Sequence, residues 1–153
     1  MLKIENIEIK HLREVVRVGI EYYEDSRFNK DNDLPLDHDV IHDTAKACIV
    51  AANVLVRGVF DDEGKLHGFI QAAIIPFSWN KKLTCAVNLI YIDKCCKGKG
   101  YGEKLLENVK EWAKANNCYE VLTGDYAFDT EATGKWLERQ GYKKLGNHYG
   151  IKV

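Results

Sequence analysis

The spacing of hydrophobic residues along the chain predicts a regular succession of strands and helices. Runs of β-branched and other apolar residues such as Val54-Leu55-Val56 are typical of strands, whereas apolar residues three and four positions apart, as at Leu12, Val15 and Val16, are typical of helices. The predicted strands are Leu2–Ile9, Asn53–Phe60, Leu66–Phe77, Leu83–Asp93, Tyr119–Asp125 and, as one or two short strands, Tyr142–Val153. The predicted helices are His11–Tyr23, Val40–Ala51, Tyr101–Asn116 and Thr130–Gln140. The resulting order, β-α-α-β-β-β-α-β-α-β, predicts an α/β fold with a mixed sheet that has helices on both faces.

Short polar turns connect the three central strands and indicate that these strands are antiparallel. Asp61-Asp62-Glu63-Gly64 separates the first two, and Ser78–Lys82 separates the second from the third. The third strand leads into the long helix over Tyr101–Asn116, and the crossover rule makes the next strand parallel to it. Gly141 follows the last predicted helix and is expected to end it in a left-handed conformation.

Between the first two helices, the segment Ser26–Asp39 is polar and predicts a loop long enough to have a role of its own. The aspartates in and beside this segment are Asp25, Asp31, Asp33, Asp37 and Asp39. They either attract a cationic amine or form an ordinary solvated surface. If they attract an amine, neutralising Asp31, Asp33 and Asp37 should lower the affinity for it.

A glycine-rich turn between the strand ending at Asp93 and the long helix is a candidate binding site. Its sequence is Lys97-Gly98-Lys99-Gly100-Tyr101-Gly102. The first N–H groups of a helix lack partners and carry partial positive charge, and glycines leave them accessible. The turn therefore predicts a phosphate or pyrophosphate site, with a solvated turn that binds nothing as the alternative. Glu103-Lys104 departs from the P-loop pattern, and the glycine spacing departs from the dinucleotide-binding fingerprint.

Length, composition and charge narrow the class of protein. With 153 residues, of which 46% are hydrophobic and 29% charged, we expect a single globular domain over residues 1–153. The net charge of −1 produces no strong field, so neither nucleic acid nor a membrane is expected as a partner. No apolar run approaches about 20 residues, and the N-terminus shows no signal-peptide pattern. A cytoplasmic location is therefore expected.

Cysteine and histidine spacing gives no recognisable metal motif. The five cysteines are Cys48, Cys85, Cys95, Cys96 and Cys118. They include no C-x-x-C pair, and an odd number of cysteines without a secretion signal is typical of reduced thiols. Adjacent Cys95-Cys96 would become reactive if the helix N-terminus lowered a thiol pKa. His38 and His42 flank Asp39 in a pattern similar to H-E-x-x-H, but no third ligand is evident, and no metal is predicted.

The glycine-rich turn resembles the acyl-CoA-binding signature Arg/Gln-x-x-Gly-x-Gly/Ala of the GNAT superfamily of N-acyltransferases. Lys97 stands where the family has Arg or Gln, and Gly100 and Gly102 match its glycines. Gly141-Tyr142 resembles the Gly-Phe that follows the family's last helix, and the order of elements fits along nearly the whole chain. The resemblance implies a GNAT-like fold with a splayed central sheet, in which acetyl-CoA lies between the fourth and fifth strands.

The resemblance also implies roles for backbone groups. The N–H of Ile90 falls where the thioester carbonyl is bound and would act as an oxyanion donor. The main chain of Ile92 falls where the family pairs with pantetheine. The amides expected to bind the pyrophosphate belong to Lys97, Gly98, Lys99, Gly100, Tyr101 and Gly102. Acetyl-CoA is thus the implied co-substrate, and no metal is implied.

The usual catalytic side chains of the family are missing. Many members have a Glu base at the position of Ala86 and a Tyr acid at the position of Leu137. The candidate substitutes are Asp125 and Tyr126, at the end of the strand opposite the thioester, and Tyr149, with its neighbour His148, on the predicted last strand.

The function that the resemblance implies is N-acetyl transfer from acetyl-CoA to a primary amine of a small molecule or a protein. The alternative is a GNAT-like module that binds CoA or a protein without turnover. A homodimer that pairs through the final strands is a further expectation.

Overall fold

A computed structural model of the chain describes residues 1–30, 34–124 and 128–153. Its strands are β1 (Lys3–Asn6), β2 (Val54–Phe60), β3 (Leu66–Pro76), β4 (Leu83–Ile92) and β5 (Cys118–Leu122). Its helices are α1 (Leu12–Asp25), α2 (Arg27–Lys30), α3 (His38–Val50), α4 (Tyr101–Ala115) and α5 (Thr130–Arg139), and a 3-10 turn over Ile9–His11 precedes α1. Among these described helices, none combines the length and the apolar character needed to cross a membrane.

The described strands form one mixed sheet in the order β1-β2-β3-β4-β5. Neighbours from β1 to β4 are antiparallel, whereas β4 and β5 are parallel. The β3–β4 register places Gly68 opposite Ile92 and Ile74 opposite Cys85. Helix α4 connects β4 to its parallel neighbour β5. The three antiparallel strands and the parallel pair that the sequence predicted are therefore confirmed.

Each face of the sheet carries a hydrophobic core. On one face, Leu105, Leu106 and Val109 of α4 are buried against β2, β3 and β4. On the other face, Val15 and Val18 of α1 are buried against β2 and β3. These residues recur at helical spacing because each helix turns one apolar stripe toward the sheet. Helices on both faces of a mixed sheet were predicted, and the structure confirms them.

A polar contact fixes α1 on the edge of β3. The Leu66 N–H donates to Glu14 Oε1 at 3.0 Å, and Arg17 Nη2 donates to the Leu66 carbonyl oxygen at 2.6 Å. Arg17 Nε also donates to Glu14 Oε2 at 2.7 Å. The hydrogen bond from Arg17 is the main cause that holds the pKa of Glu14 below its ordinary value. The ionised carboxylate is thus part of the junction between helix and strand.

A β-bulge interrupts the pairing of β4 with β3. Gln71 lies opposite Leu89 and Ala72 lies opposite Val87, so Asn88 is an extra residue in β4. Such an insertion bends a strand and increases its local twist.

The parallel pair of strands separates at the same level as the bulge. The last pair between β4 and β5 is Ala86 with Leu122, whereas β4 continues to Ile92. From Val87 onward, this edge of β4 has no neighbouring strand in the described part of the chain. The sheet is therefore splayed at its β4–β5 edge.

The predicted loop over Ser26–Asp39 is shorter in the structure. Arg27–Lys30 forms the short helix α2, and α3 begins at His38 rather than at Val40. Asp37 caps α3, because its Oδ1 accepts hydrogen bonds from the N–H groups of Asp39 at 3.0 Å and Val40 at 3.1 Å. A capping aspartate was thus interpreted as part of a solvated loop.

The strand predicted within Tyr142–Val153 is not formed, and that prediction was wrong. Residues 143–153 have no regular secondary structure and pair with no described strand. The alternating residues Tyr149 and Ile151 are 90% and 89% exposed, respectively. Alternation predicts a strand only where one face can be buried, and this segment has no core to cover.

Candidate active site

Consecutive backbone N–H groups at the start of α4 have no protein acceptor in the described part of the chain. They belong to residues 98–103. Gly98 and Gly100 have φ values of +75° and +84°, and Gly100 is the N-cap residue of α4. The first backbone hydrogen bond of the helix runs from the Lys104 N–H to the Gly100 carbonyl oxygen at 3.2 Å. No side chain caps the helix, so these amides and the helix dipole form a site for an anion.

Lys97 differs from the residues that follow it. Its N–H donates to the Asp93 carbonyl oxygen at 3.1 Å, as does the N–H of Cys96. The Lys97 amide, which was expected to bind pyrophosphate, is therefore used within the turn. Its exposed side chain lies beside the bare amides, as does that of Lys99.

Gly102 has a packing role rather than a turn role. A Cβ atom at this position would lie 3.0 Å from Cζ2 of Trp136 in α5. The Trp136 indole Nε1–H donates to Glu103 Oε1 at 2.8 Å, which ties α5 to the first turn of α4. The glycine thus lets the indole ring approach the helix that presents the free amides.

The open edge of β4 directs backbone groups away from β3. The Asp93 N–H donates to the His67 carbonyl oxygen of β3 at 2.8 Å. Because N–H groups alternate between the two edges of a strand, those of Ile90 and Ile92 point to the opposite edge, which β5 has left. Their side chains pack on the core beneath α4. Ile90 and Ile92 therefore offer main-chain groups, not side chains, to the cleft.

A cavity of about 290 Å³ opens in this cleft. Its described lining residues are Tyr22, Ala86, Val87, Asn88, Leu89, Ile90, Leu122, Thr123, Gly124, Phe128, Thr133 and His148. Both separated strands thus contribute to the wall, and the remainder comes from α1, α5 and the C-terminal segment.

The candidate proton acceptors have different positions relative to this cavity. Asp125 and Tyr126 follow the lining residue Gly124 in the chain but lie outside the described residues. Tyr149 is 90% exposed and is not a lining residue, whereas the adjacent His148 is. No carboxylate lines the cavity among the residues that the structure describes.

The positions where the family usually has its acid and base are also clear. Ala86 lines the cavity, so a longer side chain at this position would reach into it. Leu137 is only 8% exposed and belongs to the core beneath α4. The absence of a polar side chain at Leu137 therefore accompanies a packing role.

Several predicted acidic residues have structural partners. Tyr91 donates its hydroxyl to Asp25 Oδ2 at 2.8 Å, and burial followed by this hydrogen bond raises the tyrosine pKa. Asp37 caps α3, and Asp31 and Asp33 lie outside the described residues. The proposed attraction of a cationic amine thus remains a prediction that only Asp31, Asp33 and Asp39 can carry freely.

The sequence did not single out His67, which lies beside the turn that leads to α4. Its Nδ1 is 2.8 Å from Asp93 Oδ2 and 3.4 Å from Cys95 Sγ. Cys96 is buried, and burial raises its thiol pKa to about 12. The hypothesis that the helix N-terminus lowers a thiol pKa is therefore wrong for Cys96.

Comparison with known proteins identifies the family of the chain. The family model described as the acetyltransferase (GNAT) family matches residues 15–142. No curated protein matches the sequence significantly. The matched range includes β2–β5, the free amides and α5, which are the elements that build the cleft.

Solved structures share the whole fold at low sequence identity. An acetyltransferase from Trypanosoma brucei is 16% identical with a TM-score of 0.78, and each chain covers 100% of the other. An aminoglycoside antibiotic 6'-N-acetyltransferase from Acinetobacter baumannii is 17% identical with a TM-score of 0.79 over 100% of this chain and 98% of that one. AAC(6')-Iy in complex with the bisubstrate analogue CoA-S-monomethyl-acetylneamine is 13% identical, with a TM-score of 0.80 over the same shares. At these identities, the likeness establishes the fold.

Proposed function

Because the chain belongs to the acetyltransferase (GNAT) family, we propose that it transfers the acetyl group of acetyl-CoA to a primary amine. The observation that carries this proposal is the juxtaposition of the free N–H groups of residues 98–103 with the unpaired edge of β4. One group suits a pyrophosphate, and the other suits an amide-containing chain that leads from the phosphates to the cavity. A structure of the bisubstrate analogue bound to AAC(6')-Iy is consistent with this use of the fold.

The proposed contacts follow the polarity of CoA. The pyrophosphate would accept hydrogen bonds from the amides of Gly98, Lys99, Gly100, Tyr101 and Gly102. The side chains of Lys97 and Lys99 would add positive charge. Pantetheine carries amide groups, which would pair with the main chain of Ile92 in place of the missing strand. The residues present therefore fit the co-substrate.

Acetyl-CoA supplies an acyl group that is already activated as a thioester. The amine nitrogen forms a bond to the acyl carbon, the carbon–sulfur bond breaks, and CoA leaves as the thiolate. The N–H of Ile90 would stabilise the negative charge that develops on the acyl oxygen. The strand geometry fixes this N–H toward the cleft before the reaction begins.

The attacking amine must lose a proton. We propose His148, which lines the cavity, together with the earlier candidates Asp125, Tyr126 and Tyr149 as groups that receive it directly or through water. Orientation of the two reactants can itself contribute about 7–11 kcal/mol, so a strong base is not required. The acceptor is a small amine or a protein amine. A named neighbour that acts on aminoglycosides favours testing polyamine-like and aminosugar acceptors first.

A CoA-binding module without turnover is the second candidate. It is favoured by Ala86 and Leu137, which replace the family's usual base and acid, and by the absence of a carboxylate among the described lining residues. The two candidates share CoA binding and differ only in whether CoA is released as a free thiol in the presence of an amine.

The test combines calorimetry with acetyl-CoA and a thiol-release assay with a panel of amines. Reversing Lys97 and Lys99 to Glu should remove two weak attractions and add repulsion, for a total of about 1–2 kcal/mol, or roughly 5- to 30-fold weaker binding. Lys46→Glu reverses an exposed charge on α3 and serves as the matched control. Equal affinities of both variants would contradict the placement of the phosphates. Acetyl-CoA binding without thiol release for any amine would favour the non-catalytic module.

A further inference from the structure

Four potential metal ligands converge where β3 meets the turn before α4. His67, Asp93, Cys95 and Cys96 each place one ligand atom within 4.8 Å of all the others. They come from two segments 26 residues apart, which the register of Gly68 with Ile92 brings together. This cluster, called the His67 cluster below, lies outside the cavity described above.

The distances within the His67 cluster are close to those of a tetrahedral zinc site. Cys95 Sγ lies 3.3 Å from Cys96 Sγ and 3.4 Å from His67 Nδ1. Cys95 Sγ is also 3.0 Å from Asp93 Oδ1, and His67 Nδ1 is 2.8 Å from Asp93 Oδ2. Zinc–sulfur and zinc–nitrogen bonds of ordinary length separate two tetrahedral ligands by about 3.3–3.8 Å. The four atoms would need to move apart by only a few tenths of an ångström.

The other ring nitrogen of His67 has the partner that a metal-binding histidine requires. His67 Nε2 lies 2.9 Å from Asp61 Oδ2. A ligating imidazole usually donates its remaining N–H to a carboxylate, which fixes the ring orientation. Asp61 is itself held in place, because its Oδ1 accepts from the N–H groups of Glu63 and Lys65, each at 2.9 Å. The ring is therefore already oriented with Nδ1 toward Asp93 and the cysteines.

We propose that His67, Asp93, Cys95 and Cys96 bind one Zn²⁺ ion. Two sulfur ligands, one imidazole and one carboxylate form a donor set that suits zinc and excludes Mg²⁺ and Ca²⁺, which prefer oxygen ligands. Coordination replaces the two thiol protons, which pass to solvent. His67 and Cys96 are buried and Cys95 is exposed, so the ion has access from solvent.

The proposed ion has a structural role. Four protein ligands leave no open position for a substrate, which is typical of structural zinc sites. Asp93 also receives the N–H of Lys97 on its carbonyl oxygen, so a metal on its carboxylate would anchor the turn one residue before the free amides begin. The site would fix the position of the anion-binding turn relative to β3, and it does not depend on acetyl transfer.

The test measures metal binding directly. The reduced protein is freed of metal with a chelator and titrated with Co²⁺, whose visible and near-ultraviolet bands report tetrahedral thiolate ligation, and then with Zn²⁺ in competition with a chromophoric chelator. We expect one equivalent of either ion with sub-micromolar affinity for Zn²⁺, and no displacement by Mg²⁺. A hundredfold excess of Zn²⁺ over its Kd should raise the melting temperature by about 5–10 °C.

Variants locate the site. Cys95→Ser combined with Cys96→Ser should abolish the cobalt bands and weaken Zn²⁺ binding more than 100-fold. The matched control, Cys48→Ser combined with Cys118→Ser, removes two cysteines outside the cluster and should bind as the wild type does. Asp61→Asn keeps the turn acceptor but loses the carboxylate beside His67, and should weaken binding about 10–100-fold. If the double serine variant fails to fold, the exposed position Cys95→Ser and Asp61→Asn carry the test.

The contrary results are equally definite. Failure of the wild-type protein to bind Co²⁺ or Zn²⁺ stoichiometrically would overturn the proposal. So would loss of binding in the Cys48→Ser, Cys118→Ser control to the same extent as in the cluster variant. A cobalt spectrum without thiolate bands would also overturn it, because it would place the ion on other ligands.

Discussion

Replacing Gly102 with alanine tests how closely α5 packs against the start of α4. The new Cβ would lie 3.0 Å from Cζ2 and 3.4 Å from Cη2 of Trp136, whereas non-bonded carbons are most favourable at about 3.5–4.0 Å. The indole cannot move freely, because its Nε1–H is bound to Glu103 Oε1 at 2.8 Å. Either that hydrogen bond lengthens, or the two helices separate by several tenths of an ångström.

Two opposing effects decide the change in the free energy of unfolding. Alanine favours a helix over glycine by up to about 1 kcal/mol. Overpacking of a filled site costs about 1–3 kcal/mol. We therefore expect Gly102→Ala to lose roughly 1 kcal/mol, which lowers the melting temperature of a chain of this size by about 2–4 °C.

A double-mutant cycle with Trp136→Leu isolates the contact. Urea unfolding of the four proteins should show that alanine is neutral or stabilising when Trp136 is absent. The coupling energy between the two positions should be about 1–2 kcal/mol. If Gly102→Ala has the same effect in both backgrounds, or stabilises the protein that retains Trp136, the reasoning from close packing is refuted.

Two further predictions concern the β4 edge and the α1 junction. Ile90→Pro removes an N–H that faces the cleft and not β3, so kcat in the thiol-release assay should fall about 10²–10³-fold relative to Ile90→Ala. If the folded proline variant retains the kcat of the alanine variant, another group binds the acyl oxygen. Glu14→Gln should lose about 1–3 kcal/mol at neutral pH, because Arg17 and the Leu66 N–H lose a charged acceptor. Since the folded-state pKa of Glu14 is lowered, its stabilisation is present above the ordinary value of about 4.3 and disappears as the pH falls through the folded value. Urea unfolding from pH 7 to pH 3 should therefore show a steeper loss for the wild type than for Glu14→Gln, and parallel curves would contradict this account.

The elements that position the site were predictable because their patterns are long and end in clear signals. The sequence predicted a helix over Tyr101–Asn116, and α4 spans Tyr101–Ala115. The predicted strand Leu83–Asp93 is β4 with one residue fewer. Gly141 ends α5 with a φ of +88°, and the Tyr142 N–H bonds back to the Leu137 carbonyl oxygen as a helix-ending glycine predicts.

Features that depend on register or burial were not predictable. His67 is 26 residues from Asp93 in the chain, and only the pairing of β3 with β4 brings the two side chains to 2.8 Å. The alternation at Tyr149 and Ile151 suggested a strand, but periodicity cannot show whether a neighbouring surface exists to cover it. The partner of the Lys97 N–H likewise follows from the shape of the turn and not from its composition.

The extra residue at Asn88 makes the cleft a removable property of this fold. Val87 packs toward α4 and Leu89 toward α1, which is the alternation that these two residues would keep as immediate neighbours. Deleting a single codon would therefore leave every apolar side chain on its own side of the sheet. It would straighten β4 and bring its bare edge toward the strand that now veers away. A domain with both cores intact and its crevice zipped shut would be the product, so one inserted amino acid separates a closed scaffold from a receptive one.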